Sequence, residues 1–243
     1  MRYPDIVYTV RNTPENNSEE LRYSLRSLRN LGHQNVFIVG EKPDWLMNVI
    51  FIPVAQDRTK RENVMNNITA AVNNHQVSDD FILMNDDFFI MKEMQALPNL
   101  HFGPMADLIE SYENRYPEGS DYIDLMKKQY ELLLEQGIKV PISYELHSPM
   151  MFNKYKMVDM LNTKGPQYQM RSHYGNIYHI GGEQAEDVKL FMEPRHNPSE
   201  YNEAPLEYMN KQLFLSATGG SFNRGLPGRY IRAVFPQKSI YEL

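Results

Sequence analysis

The chain of 243 residues is 42% hydrophobic and 23% charged, proportions that exclude a disordered protein and predict a globular fold with a sizeable core. Its formal net charge of −6 at pH 7 argues against a protein that binds nucleic acid by bulk electrostatics. The absence of cysteine excludes disulfides, thiolate metal sites and a cysteine nucleophile, so any metal must have oxygen or histidine ligands.

The first part of the chain alternates short apolar runs with amphipathic segments. The apolar runs predict strands at residues 5–10, 35–40, 49–54 and 81–84. One amphipathic segment follows Asn17, which forms a predicted capping pair with Glu20, and another covers residues 59–75. Strands that alternate with helices predict a mainly parallel sheet with both faces covered.

Beyond Met91 the pattern changes. Amphipathic spacing predicts helices at 120–136 and 154–161, and the segment LFLSATGG predicts a strand that ends in a flexible glycine turn. The expected fold class is therefore α/β, a Rossmann-like mixed sheet flanked by helices within residues 1–95. Residues 96–243 would add a helical and irregular portion to the same single domain.

An acidic pair interrupts the apolar run FILMNDDFFI. The chain would leave a buried strand at Asn85 and place Asp86 and Asp87 at the carboxyl edge of the sheet, where ligands bind in open α/β folds. Two carboxylates there can hold Mg²⁺ or Mn²⁺, which commonly bridges the phosphates of a nucleotide. Adjacent side chains on an extended backbone point apart, so one Asp would meet the metal and the other water, sugar or backbone amides. The alternative is an ordinary turn, for which Asn-Asp is common chemistry.

Several histidines and arginines are further candidates. His147 stands close to Pro149, and the restricted backbone there suits an orienting residue or a general base, although a lone histidine is more often ordinary packing. Arg22 and Arg26 form a stripe on the first helix that is either a solvated face or a phosphate-binding set. Arg171 either lines a cleft or belongs to the surface.

A local basic patch lies near the end of the chain. The segment 223–232 holds three arginines among glycines and a proline. It could contact a polyanion or a nucleotide pyrophosphate, or it could be a solvated loop.

Segments spread over the chain carry a family resemblance. The matching segments are EELRYSLRSL (19–28), NVFIVG with PDWL (35–46), FILMNDDFF (81–89), HSP (147–149), MRS (170–172) and FPQKSIYE (235–242). In this order they resemble the blocks of the Stealth family of nucleotide-sugar-dependent sugar-phosphate transferases, known from bacterial capsule synthesis and from the lysosomal-enzyme phosphotransferase of animals.

Two blocks depart from the family pattern. The first block of the family carries an acid before a glycine-rich turn, whereas this chain has YTVRNTP, with Arg11 near the expected acid. The fourth block usually contains Asn-Asp, whereas the corresponding stretch here is Ala217-Thr218-Gly219-Gly220. Both departures remove acidic groups and predict altered donor handling, a changed reaction or a changed acceptor.

The resemblance implies a glycosyltransferase-A type sheet that binds a nucleotide sugar through Mg²⁺ or Mn²⁺ at Asp86 and Asp87. His147 would accept the proton of the attacking hydroxyl, with Asp87 and Arg171 as the other catalytic candidates. The residues expected to bind substrate are Arg11, Arg22, Arg26, Asn85 and Ser172.

The implied reaction moves a sugar-1-phosphate to a hydroxyl of a glycan acceptor. Glycosyl transfer, with release of a nucleoside diphosphate, is an alternative, and its acceptor would be a glycan or a hydroxylated base of phage DNA. A non-catalytic nucleotide- or sugar-binding module is a second alternative.

The first ten residues do not resemble a signal peptide and no apolar stretch reaches membrane-spanning length, so we expect a cytoplasmic protein. Periodicity predicts no oligomeric state.

Overall fold

The computed structural model describes residues 3–11, 17–163, 168–191 and 205–243. The strands in chain order are β1 (Asp5–Val10), β2 (Val36–Gly40), β3 (Ile50–Pro53), β4 (Asp80–Asn85), β5 (Phe88–Ile90), β6 (Leu100–His101), β7 (Gly103–Pro104), β8 (Ile142–Ser143), β9 (Met150–Asn153), β10 (Glu183–Gln184), β11 (Lys189–Leu190) and β12 (Phe214–Ala217). The helices are α1 (Glu19–Ser27), α2 (Lys60–Asn73), α3 (Met105–Arg115), α4 (Asp121–Glu135), α5 (Lys154–Thr163), α6 (Met170–Ile177), α7 (Pro205–Lys211), α8 (Gly219–Arg224) and α9 (Leu226–Val234).

The described residues divide into two units. The first contains those of Met1–Leu97, His147–Tyr155 and Val188–Leu243, and the second those of Pro98–Leu146 and Lys156–Asp187. This division differs from the expected halves 1–95 and 96–243, because later segments return to the first unit. One of them adds β9 to the main sheet, and the other contributes β11 and β12, which form a sheet with β5.

The main sheet of the first unit has the strand order β3-β2-β1-β4-β9. The first four of these strands are parallel, and β9 runs antiparallel to β4. Every residue of β1 and of β2 is buried, as expected for apolar strands inside a covered sheet. The predicted α/β fold with a mixed sheet flanked by helices is confirmed.

Helix α1 connects the main sheet to the smaller sheet, which has the order β11-β12-β5. It buries Leu21 and Leu25, as the helical spacing predicts. The hydroxyls of Ser24 and Tyr8 lie 2.9 Å apart, and the Ser27 hydroxyl accepts a hydrogen bond from the backbone N–H of Ile90. These bonds hold β1 and β5 at fixed positions relative to the helix.

Near the end of the chain one prediction is wrong and one of two open alternatives is excluded. Gly219 and Gly220 form no flexible turn but begin α8, because the Thr218 side chain caps that helix by accepting from the backbone N–H of Ser221. The basic segment 223–232 is no solvated loop, since most of it belongs to α9. Arg232 on this helix donates to both carboxylate oxygens of Glu19, at 2.9 and 2.6 Å.

The second unit is mainly helical and encloses a buried polar contact. The side chain of Gln129 on α4 lies 3.1 Å from Nδ1 of His173 on α6, and its carbonyl oxygen accepts from the backbone N–H of Gln169. His173 is fully buried, and its Nε2 has no partner among the described residues. Burial lowers the pKa of His173 from 6.5 to about 4, so the imidazole is neutral in the folded protein.

This buried histidine should make the protein less stable in mild acid. Between its unfolded pKa of 6.5 and its folded pKa of about 4, the unfolded chain binds the proton that the folded chain excludes, so stability falls as pH decreases through that window. From pH 7 to pH 5 we expect wild type to lose about 2 kcal/mol more unfolding free energy than His173→Asn, as measured by urea denaturation. Parallel pH profiles for the two proteins would contradict the assignment.

Candidate functional site

A cleft of about 660 Å³ opens in the first unit at the carboxyl ends of β1 and β4. β1 lies between β2 and β4, so the order of connection along the sheet reverses at this point, and open α/β folds bind ligands at such a switch point. All of its lining residues belong to the first unit. They are Thr9, Val10, Arg11, Glu20, Gln56, Lys60, Asn63, Val64, Asn67, Asn85, Asp86, Asp87, His147, Lys189, Phe191, Ala217, Thr218 and Gly219.

Asp87 is held by two partners on the smaller sheet. The ammonium of Lys189 donates to Oδ2 of Asp87 and, at 3.2 Å, to the hydroxyl of Ser216. That hydroxyl in turn donates to the same Asp87 oxygen at 3.2 Å. The register of β11 and β12 pairs Lys189 with Ser216 directly, so strand pairing positions both partners. The counter-ion of Asp87 is therefore a side chain of the protein, Lys189.

Asp86 and Glu20 line the same cleft as Asp87, and these three carboxylates are called the acidic cluster. Burial, followed by the charges of Asp87 and Glu20, raises the pKa of Asp86 to about 7. Burial, followed by the charge of Asp87, raises the pKa of Glu20 to about 7 as well. Oε1 of Glu20 is buried and has no hydrogen-bond partner among the described residues. Two carboxyls with perturbed pKa values in one cleft are typical of a functional site.

Glu20 was missed as a site residue, and the predicted capping pair with Asn17 is wrong. The N-cap of α1 is Ser18, which has a positive φ of 49° and makes no side-chain capping bond. Glu20 lines the cleft instead. The one sequence signal that could have indicated this is its place in EELRYSLRSL, a segment that carries the Stealth resemblance.

Five of the predicted site residues come together at the cleft. Arg11, Asn85, Asp86, Asp87 and His147 all line it. The ring of His147 meets the fully buried Phe88 edge-on, with 6.4 Å between ring centres, which restricts the orientation of the imidazole.

An amide wall on the α2 side of the cleft was not predicted. The side-chain amide of Gln56 donates to Oδ1 of Asn67 at 2.9 Å, and Asn63 exchanges hydrogen bonds with the backbone of Arg58. Asn63 and Asn67 are buried, although asparagines on a predicted helix resemble surface residues. These amides offer donors and acceptors to a polar ligand.

Arg22 and Arg26 are placed elsewhere. Arg26 donates through Nε and Nη2 to the two carboxylate oxygens of Glu242, each at 2.8 Å. The Arg22 guanidinium lies 3.9 Å from the centre of the Trp45 ring, and its Nη1 is 3.5 Å from the same glutamate. Neither arginine is among the described residues that line the cleft. Their donors hold the C-terminal segment against α1.

Arg171 and Ser172 lie on α6 in the second unit. Arg171 donates to the carbonyl oxygen of Leu146 at 2.9 Å. The Ser172 hydroxyl accepts from the backbone N–H of Tyr144, and its own N–H donates to the Glu145 carboxylate. Both residues connect α6 to the segment that follows β8, and their catalytic and binding roles remain predictions.

The acidic cluster has the ligand chemistry of a magnesium or manganese site. Such cations prefer carboxylate oxygens, and a buried, unpartnered Glu20 oxygen beside two aspartates fits that preference. Within the part of the chain that the structure describes, no group of three or more acidic or histidine side chains is arranged to hold a metal. Lys189 also competes for Asp87. The cleft therefore offers carboxylate oxygens to a cation, while the described residues form no complete set of ligands.

Two solved structures that this chain matches at low similarity are glycosyltransferases. The apo form of the glycosyltransferase GlyE of Streptococcus pneumoniae TIGR4 is 8% identical with a TM-score of 0.36, and the match covers 89% of this chain and 54% of that chain. The apo form of mouse xyloside xylosyltransferase 1 is 12% identical with a TM-score of 0.30, and the match covers 74% of each chain. At these values the likeness does not establish a function.

No protein-family model and no curated protein matches the sequence. This chain spans about half the length of the GlyE chain that it matches. Among the described residues, no helix is long and apolar enough to cross a membrane.

The crowded carboxylates should destabilise the folded protein at alkaline pH. Because the folded-state pKa of Glu20 is raised from 4.5 to about 7, its contribution to stability falls as pH rises from 4.5 to 7 and stays low above 7. We expect Glu20→Gln to be more stable than wild type at pH 8 by about 1–3 kcal/mol and little different at pH 4.5. Denaturant titration at both pH values measures this.

The neighbouring Glu19 provides a matched control. Its carboxylate is paired with Arg232, so Glu19→Gln should lose stability at pH 8 where Glu20→Gln gains it. Equal effects of the two substitutions would contradict the assignment of Glu20 to the cluster.

The pairing with Glu242 predicts a structural role for Arg26. Arg26→Lys loses one of the two parallel hydrogen bonds and should lower the unfolding free energy by about 1–3 kcal/mol. Arg29→Lys, which removes a guanidinium that donates to the backbone of Val234, is the control and should cost less. If Arg26→Lys left the stability unchanged and weakened phosphate binding, Arg26 would be a substrate-binding residue, as the sequence predicted.

Proposed function

We propose that this protein is a nucleotide-sugar-dependent transferase related to the Stealth family, with a glycosyltransferase-A type sheet and its donor site in the cleft. The observation that carries the proposal is the convergence of Asp86, Asp87 and His147 at the switch point between β1 and β4. Such a cleft combines oxygen ligands for a cation, basic side chains for phosphate and a base for a hydroxyl group.

The diphosphate of the donor suits the basic side chains. Arg11, Lys60 and Lys189 line the cleft from three different elements, and their charges complement a polyanion. Asn85 and the amide wall of Gln56 and Asn67 offer hydrogen bonds to the polar edges of a sugar or a base.

His147 is the proposed general base. In the Stealth-type reaction the acceptor hydroxyl oxygen forms a bond to the phosphorus that carries the sugar. The bond from that phosphorus to the nucleoside monophosphate breaks, and the leaving group takes the electron pair. His147 receives the hydroxyl proton, and Arg11 with Lys189 offsets the charge on the phosphates.

A bound Mg²⁺ or Mn²⁺ would add charge stabilisation on the phosphate oxygens. Asp86 would hold it, with Asp87 and Glu20 as the neighbouring carboxylates. Asp87 would also keep Lys189 oriented within the cleft.

Glycosyl transfer is the second candidate. It is favoured by the location of both departures from the family pattern, because Arg11, Thr218 and Gly219 line the same cleft as the acidic pair. A cleft with a changed charge distribution can bind the same donor while the acceptor attacks the anomeric carbon. A nucleoside diphosphate then leaves instead of a monophosphate.

A donor screen tests the proposed function. Purified protein is incubated with Mg²⁺ or Mn²⁺, a panel of nucleotide sugars and hydroxyl acceptors, and the released nucleotide is identified by mass spectrometry. Release of a nucleoside monophosphate is expected for sugar-phosphate transfer, and release of a diphosphate would indicate glycosyl transfer. Acceptors include glycans and hydroxymethylated DNA. No turnover of any donor would favour a binding module.

Variants connect turnover to the cleft. We expect Asp86→Asn and His147→Gln each to lower kcat at least about a hundredfold, the size of effect that a positioned acid or base supplies. Asp80→Asn is the control, because Asp80 is exposed at the opposite end of β4 and bonds to Asn153. Full activity of both cleft variants would show that the site lies elsewhere.

A further inference from the structure

Lys189 differs from the other cations of the cleft in its exposure and in its partners. Its side chain is 13% exposed, whereas the cleft cations Arg11 and Lys60 are exposed. Its contacts with Asp87 and Ser216 occupy two of the three N–H donors of an ammonium group. Within the part of the chain that the structure describes, one donor therefore remains for a ligand, from a charge that is fixed in position and largely removed from solvent.

The balance of charges in the cleft allows an anion to bind without a bound metal. Its described lining contains the acids Glu20, Asp86 and Asp87 and the cations Arg11, Lys60 and Lys189. Lys189 neutralises Asp87, so two acids and two exposed cations remain. The negative charges of the described lining therefore do not exceed its positive charges.

The surroundings of Lys189 favour a phosphate ligand in particular. A fixed ammonium that is shielded from water interacts more strongly with a phosphate oxygen than an exposed one does. The stretch that corresponds to the acidic fourth block of the Stealth family lines the cleft as Ala217, Thr218 and Gly219, without a carboxylate. The cleft thus has no carboxylate in this stretch and one lysine that is mostly shielded from solvent.

We propose that Lys189 is a phosphate-binding residue that contacts the diphosphate of the donor, so that diphosphate binding has a component independent of divalent metal. Asp87 and Ser216 then act as positioning residues that hold the ammonium in the cleft. This inference rests on the proposed function for the choice of donor, but the binding of a diphosphate can be measured separately.

The experiment measures binding of inorganic pyrophosphate in EDTA by isothermal titration calorimetry at pH 7. The key variant is the double substitution Asp87→Asn with Lys189→Met, which removes the ammonium and its counter-ion together and so keeps the net charge of the cleft. We expect wild type to bind in EDTA and the double variant to bind at least about tenfold more weakly, the loss of one charged hydrogen bond.

Three further variants separate contact from bulk charge and folding. Lys189→Arg should retain binding within about threefold, because it keeps a positive charge and N–H donors at this position. Asp87→Asn should bind at least as well as wild type, because its amide oxygen can still accept from the ammonium and from Ser216 while the competing negative charge is removed. Lys211→Met removes a surface lysine that pairs with Glu207 and should leave the affinity unchanged. Thermal melting identifies any variant that fails to fold.

Two results would overturn the inference: binding of pyrophosphate to wild type only when Mg²⁺ is added, or equal affinities of wild type and the double variant. Either result together with turnover of a nucleotide sugar refutes the role of Lys189 and leaves the proposed function intact. Binding in EDTA that depends on Lys189, without turnover of any donor, supports the phosphate site and refutes the transferase.

Discussion

The short link between the two sheets of the first unit is the constraint on which the site depends. The chain leaves the main sheet at Asn85 and enters the smaller sheet at Phe88, so Asp86 and Asp87 alone connect two buried strands. Neither carboxylate can withdraw from the cleft without shifting β4 or β5, which α1 holds through its buried serines. The carboxylates of the acidic cluster therefore stay close together despite their like charges, because moving them apart would disrupt the packing of both sheets.

This constraint gives two neighbouring aspartates different surroundings. Asp87 is directed to the smaller sheet, where Lys189 and Ser216 satisfy it. Asp86 forms no ion pair among the described residues and shares its surroundings with Glu20, and burial with the neighbouring negative charges raises the pKa of both carboxyls to about 7. Paired titratable groups whose environments differ in this way commonly divide the tasks of a reaction between them. Asp86 and Asp87 form the turn between β4 and β5, so the geometry of this turn gives their side chains different directions.

The sequence predicted the features that depend on local pattern. The bounds of β1 and the acidic edge of β4 follow from apolar runs, and such runs are informative because a covered parallel strand needs continuous burial. Features that depend on distant partners were not predictable. Lys189 lies 102 positions from Asp87, and Glu242 lies 216 from Arg26, so no periodicity connects either pair. A helical stripe shows that Arg22 and Arg26 share a face, but it does not show that a carboxylate occupies it.

Two segments of the cleft without acidic side chains come from distant parts of the sequence. Arg11 and the stretch from Ala217 to Gly219 are far apart in the chain, yet both line the cleft that holds the acidic pair. Arg11 contributes a positive charge and the other stretch contributes none, while Lys189 offsets the charge of Asp87. The described lining of the cleft thus combines three acids with three cations, and its affinity for an anion depends on this summed field rather than on any single contact.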